Sequence, residues 1–241
     1  YMLFVKKHAY ITFRLKYFTP SKEILWDIVK VGLPASMSMI IMAVGQGVFN
    51  KILIHYSSQT VAAYQVAGRL DMLIFLPIFA IAGGMTTLVG MFYGAKRLDL
   101  VRMIIKYSLS RSILIALSFS VFFFFCSGYI IQTFTESSEI IRLAVLYFKI
   151  MAFAYPFVTI GMTCSRVMQG LGYAYPMFVL TLFRVVIISA SLAWYFVIIL
   201  GNPVHYAWVG TLISCILTAG VSLIWLQSII RHSFKPVLSS N

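Results

Sequence analysis

The chain has 241 residues, of which 61% are hydrophobic and only 10% charged. An ordinary soluble domain carries roughly 25% charged residues, so this composition excludes a soluble globular protein. The formal net charge of +13 sits largely at the ends of apolar runs, the pattern of cytoplasmic flanks on membrane helices, and nucleic acid is not expected as a partner.

The chain opens at Tyr1 with no methionine before it, and YMLFV is too short for a signal-peptide core. The expectation is a fragment, whose first residues are the tail of a preceding helix. Between Val5 and Thr19 aromatic and basic residues alternate, suiting either an interfacial helix on the headgroups or a plain linker. The domain reading is therefore a leader over 1–22, a transmembrane lobe over 23–235 and a cytoplasmic tail over 236–241.

Six apolar segments follow the leader, each long enough to supply the roughly 20 residues of a bilayer crossing. They run from about Ile24 to His55, Thr60 to Tyr93, Leu98 to Thr133, Ser138 to Leu171, Ala174 to Leu200 and Tyr206 to Arg231. The fold class is all-α, a polytopic bundle in which short connections make consecutive helices antiparallel neighbours. The serines and threonine of YSSQT can cap the second helix, Ser137 or Ser138 stands ahead of Glu139 for the fourth, and GNPVH breaks the chain before the sixth. Pro34, Pro77 and Pro156 fall inside helices and should bend them, whereas Pro176 falls where a helix starts.

Basic residues mark one end of the bundle. Lys22 and Lys30, the group Lys96, Arg97, Arg102, Lys106 and Arg111, then Arg166, Arg184, Arg231 and Lys235 fall on the side of the two termini. The other end has Lys51, Arg69, Arg142 and Lys149, partly balanced by Asp71, Glu136 and Glu139. Both termini should be cytoplasmic. Cys126, Cys164 and Cys215 each lie within an apolar run without CxxC spacing, which reads as burial rather than disulfides or a metal site. No Gly-rich phosphate loop follows a strand, the four histidines are scattered, and Glu23 with Asp27 and Glu136 with Glu139 lie at helix starts. An enzyme or an ATP-driven pump is not expected, nor a cofactor or a metal site.

GLPASMSM on the first helix, VAAYQVAGRLDMLIFLP on the second, TTLVGMFYGAKR at its end, and AYPF followed by MQGLGYAYP resemble, in order and spacing, the second half of multidrug and toxic compound extrusion (MATE) transporters. The resemblance implies twelve helices in two six-helix lobes around a central cavity, exporting small amphipathic cations in exchange for Na⁺ or H⁺ across the cell membrane. This chain would be the C-terminal lobe, and its partners the bilayer and the missing N-terminal six-helix lobe. One branch of the family carries a cation-binding glutamate and aspartate at positions occupied here by Met42 and Val158. The resemblance then places the coupling carboxylates in the other lobe.

Asp71 is the one acid set away from the ends of these spans. A window from Met72 to Met91 would leave it at the outer edge of the hydrocarbon with Arg69 above it, avoiding the roughly 2.5–3.5 kcal/mol charged on a mid-helix ion. At roughly 100° per residue it shares a side with Ala67, Gly68, Ala82 and Thr86, small residues that favour a protein-facing surface, and also with the larger Phe75, Ile78 and Val89, so the stripe is mixed. Asp71 is read as a carboxylate that attracts cationic substrate or gates the outer mouth, or as the acid of an ion pair with Arg69 or Lys149. Gln46 and Asn50, one turn apart, either line the cavity or bond between helices. Arg166, with Gln169, is a candidate inner-gate residue or a topology signal, and Arg184 is read as snorkelling to the cytoplasmic edge.

The functional expectation is secondary active efflux of organic cations and drugs by antiport. The alternatives are a lipid-linked oligosaccharide flippase, which should show more basic residues on its cavity face, and a non-transporting fragment or assembly partner.

Overall fold

The computed structural model describes residues 21–238, with side chains as far as His232. The leader, expected to lie on the headgroups, falls outside the described residues. Six helices are long and apolar enough to cross a membrane: α1 Lys22–Tyr56, α2 Ser58–Gly94, α3 Leu98–Gln132, α4 Ser138–Gly170, α5 Tyr175–Ile199 and α6 His205–Leu238. The first five depart from the sequence reading by at most two residues at either end. The sixth runs seven residues past the expected Arg231, continuing through Pro236 to Leu238.

Local chemistry accounts for the joints. Ser57 caps α2, its hydroxyl accepting the Thr60 amide at 3.1 Å, as the YSSQT stretch predicts. Ser137 occupies the corresponding position for α4 but makes no side-chain cap bond. Pro176 lies in the first turn of α5, where its missing N–H costs nothing. Gly172 at φ 92° and Gly201 at φ 62° open the α4–α5 and α5–α6 connections in the left-handed region that favours glycine.

Helix α4 is the axle of the bundle. It packs against α2, α3, α5 and α6, and half of its most apolar window is buried, against 11% for α1. Small residues permit that packing. Gly170 lies against α2 so closely that an added Cβ would sit 2.7 Å from the Thr86 carbonyl oxygen and 3.0 Å from Val89 Cβ. At the other extreme, α1 exposes Trp26, Leu33, Met37, Met39 and Val44, so it edges the lobe.

The buried apolar residues form two clusters stacked along the bundle axis. One, toward the end holding the α1–α2 and α5–α6 joints, includes Leu53, Ile74, Phe148, Tyr155 and Trp208. The other, toward the α2–α3 and α4–α5 joints, includes Met85, Val89, Val101, Met168 and Leu226. Many buried hydroxyls satisfy themselves within their own helix: Ser120 donates to the Ala116 carbonyl and Thr159 to the Tyr155 carbonyl, each at 2.8 Å.

Helix α5 is the irregular member. Its hydrogen bonding widens to the π pattern over Phe183–Ala190 and again over Tyr195–Ile199. Such widened turns recur at functional sites, and this one carries Arg184.

Candidate functional site

Two charged side chains sit deep in the lobe, and the structure treats them differently. Asp71 lies 13 residues into the 37-residue α2. At 1.5 Å per residue that is about 8 Å from the middle of the helix, so a helix centred in a hydrocarbon layer roughly 30 Å thick holds Asp71 inside it. The sequence reading placed it at the outer edge, from which a moderate shift along the helix axis buries it; in the structure the charge is met within the protein.

That meeting is with α4. Tyr147 donates its hydroxyl to Asp71 Oδ2 at 2.5 Å and Tyr155 donates to Oδ1 at 2.6 Å, so each carboxylate oxygen receives a phenol. Both tyrosines are buried, with relative exposures of 4% and 0%. An aromatic shell surrounds them: Tyr64 and Trp208 meet the Tyr147 ring edge-on at centroid distances of 5.9 and 5.6 Å, and Phe75 meets Tyr155 at 5.7 Å. Short hydrogen bonds to an ion in dry surroundings are among the strong ones a protein makes.

Among the described residues Asp71 makes no ion pair. Arg69 and Lys149 are both exposed; Arg69 stays clear of the carboxylate, and Lys149 lines a separate cleft with Arg142 and His205. The ion-pair alternative for Asp71 is thus corrected: helix geometry turns residue 69 away from the face that 71 presents, and α4 offers tyrosines there first. Asn50 accepts a hydrogen bond from Gln65 of α2 at 3.2 Å, joining α1 to α2, while Gln46 is exposed on the wall of a cavity.

Arg184 is the second deep charge, three residues from the middle of α5. It does not snorkel to the basic end: it lines two adjoining cavities bordered by α1, α2, α4, α5 and α6. The first, of about 190 Å³, is walled by Met42, Phe75, Phe79, Phe157, Val158, Met162, Met177 and other residues, with Arg166 and Thr218 among its polar members. The second, of about 390 Å³, adds Gln46, Tyr64, Ser189, Thr211 and Ser214. Met42 and Arg184 belong to both. Arg166 donates to the Gln169 side chain at 3.1 Å, and the Arg166 carbonyl accepts from Thr86 at 3.3 Å.

Met42 and Val158, where the other branch carries carboxylates, thus share one cavity wall. The architecture matches a known group. Residues 34–195 match the MatE family. The chain belongs to the MatE family. This MatE lobe is 24% identical over 202 residues to a protein of Thermotoga maritima described as probable multidrug resistance protein NorM, covering 84% of this chain and 44% of that one. It is 28% identical over 169 residues to multidrug export protein MepA of Staphylococcus saprophyticus, covering 70% and 37%. The crystal structure of MATE in the straight conformation superposes with a TM-score of 0.91 and 28% identity, covering 98% of this chain and 53% of that one. The MatE chain therefore spans about half the length of the relatives it matches, and it is an integral membrane protein.

Helical spacing alone pointed Asp71 inward but did not name its partners. Tyr147 and Tyr155 went unnoticed because tyrosine is also enriched at membrane–water interfaces, and nothing local distinguishes a phenol aimed at a carboxylate. Thr218 and the inward turn of Arg184 left no signal, since the first is one hydroxyl among many and the second depends on the π stretch.

Proposed function

We propose that this chain works as one lobe of a secondary exporter. With a six-helix companion, it moves small amphipathic compounds, organic cations among them, across the cell membrane in antiport with Na⁺ or H⁺. The observation carrying this reading is the pair of adjoining cavities on one side of α4, with Met42 and Arg184 in both walls. Their aromatic and methionine lining suits varied apolar cargo, because soft unbranched side chains repack around different shapes. The multidrug descriptions of the NorM and MepA relatives support the same cargo class.

Alternating access follows from the physics of a site between two rigid halves, which rock around cargo held near the bilayer middle. Cargo and ion must each favour one of the same two states, otherwise neither drives the other. The uncharged Met42 and Val158 supply no coupling carboxylate to the cavity, so the coupling ion is assigned to the companion lobe. Cationic cargo meets Asp71 only by displacing the phenols of Tyr147 and Tyr155. The oligosaccharide-flippase alternative draws on Arg166 and Arg184, the two basic residues of the cavity walls. The orientation proposed from the basic residues puts the α2–α3 joint and both termini on the cytoplasmic side.

The test is ethidium efflux from cells producing this lobe with its companion, with the Na⁺ and pH gradients collapsed separately. Loss of efflux with one gradient names the ion. Efflux that survives the collapse of both removes antiport, and no efflux under any condition favours the flippase or the non-transporting assembly partner.

A further inference from the structure

We infer that Arg184, with Thr218 and Arg166 in the wall of the same cavity, forms a binding site for the anionic head of an amphiphile: a phosphate, sulfonate or carboxylate on an apolar tail. The inference rests on the cavity reading of the proposed function and narrows its cargo.

Three observations carry it. Arg184 lies near the middle of α5 and lines both cavities, yet among the described residues it has no ion pair and no hydrogen-bonded partner. A guanidinium at this depth calls for an anion. No acidic residue lines either cavity, and the nearest acid of the core, Asp71, is already held by two phenols. Thr218 supplies the second observation. It is 4% exposed, it lines the same cavity as Arg184, and its Oγ1 is buried without a partner. Its neighbours do not behave so: Thr181 and Ser165, on the same wall, each donate to a backbone carbonyl four residues back at 2.8 Å. Ser112, Thr163 and the Trp208 indole are also buried without a partner, but of these four only Thr218 lines the Arg184 cavity, where a group that enters would supply the missing bond.

The third observation is the shape of the pair of cavities. Arg184 stands where the two adjoin, Phe75, Phe79, Phe157 and Met162 line one side, and Gln46, Ser189 and Thr211 the other. That arrangement takes an ionic head at the junction and an apolar tail along the phenylalanines. The planar fork of a guanidinium binds two oxygens of one phosphate or carboxylate, and a hydroxyl donor beside it completes an oxyanion's contacts. A carboxylate reaching in from the companion lobe could meet the guanidinium at the mouth of the cavity. It would leave the Thr218 hydroxyl, inside the wall, unmet. A small head group satisfies both.

The complete exporter, both lobes together in nanodiscs, is titrated calorimetrically with octyl phosphate and with octyltrimethylammonium, its charge-inverted match. The unmodified protein binds octyl phosphate roughly ten-fold more tightly, as a charge-assisted contact predicts. R184Q abolishes that preference, R184K restores part of it, and the isosteric T218V, which leaves every charge in place, lowers it several-fold. Equal binding of the two probes by the unmodified protein overturns the inference and points to a companion carboxylate already neutralising Arg184. So does a preference that persists in R184Q. Ethidium efflux is read in parallel: a phosphate preference without efflux removes the exporter reading and leaves the anion site, whereas efflux without the preference does the reverse.

Discussion

The Asp71 knot and the Arg184 cavity each place one charge in an apolar lobe, and they resolve it in opposite ways. Asp71 is met on both oxygens by α4 phenols inside a closed aromatic shell. Arg184 is left open to two cavities with an unsatisfied hydroxyl nearby. A buried ion that is fully hydrogen-bonded stiffens the packing around it, while one left short of partners binds whatever supplies them. The first region fastens α2 to α4, and the second is where a ligand changes the energy.

The largest test breaks the frame on which both depend. G170A drives a methyl group to 2.7 Å from the Thr86 carbonyl oxygen and 3.0 Å from Val89 Cβ, and backbone cannot swing aside as a side chain does. The expected loss is about 1–3 kcal/mol, read as a fall in the detergent melting temperature and in the yield of monodisperse protein. Retention of the wild-type melting curve would show that the α2–α4 crossing is looser than described.

Within the knot, Y147F and Y155F each leave one carboxylate oxygen without its donor. A hydrogen bond to a charged group contributes roughly 1.5–3 kcal/mol, so each variant should melt lower by that measure. The double variant should depart from additivity, because both phenols serve one ion. Additive or silent variants would mean that water, not tyrosine, satisfies Asp71.

The cavity is probed without touching the knot by G45A, since a Cβ there runs into Cγ1 of Val185, the neighbour of Arg184. The β-branched valine cannot rotate clear, so α5 shifts outward. The octyl phosphate preference should fall while the melting loss stays smaller than that of G170A, near the low end of about 1–3 kcal/mol for overpacking. An unchanged preference would detach Arg184 from the α1–α5 contact.

The smallest effect belongs to the Asn50–Gln65 bond between α1 and α2. A double-mutant cycle of N50A and Q65A should give a coupling near the average of about 0.6 kcal/mol for polar contacts between membrane helices. A coupling several times larger would promote this contact from glue to a part of the lobe's mechanism.

Much of this was legible in the residues. The six spans, the limits of the first five to within two residues, and the family all follow from long apolar runs, turn chemistry and motifs kept in order. Asp71 could be assigned an inward face, because neighbours at helical spacing are known before any fold is. Its partners could not: Tyr147 and Tyr155 are more than seventy residues away in sequence, and which phenol meets a carboxylate depends on the rotation of two helices about their axes. Arg184 was misread for a related reason, since a charge before an uncharged run looks like a membrane boundary until the widened turns of α5 and the close approach of α1 fix where it points.

By itself, then, the sequence determined that this protein is a membrane bundle of six helices with the motifs of a MatE lobe, because span length and hydropathy are properties of contiguous chain. Only the tertiary structure decided that its inner acid is spoken for and that the base lining its cavities is not. Hydrogen bonds in a bilayer are made between helices, and their partners are chosen by packing.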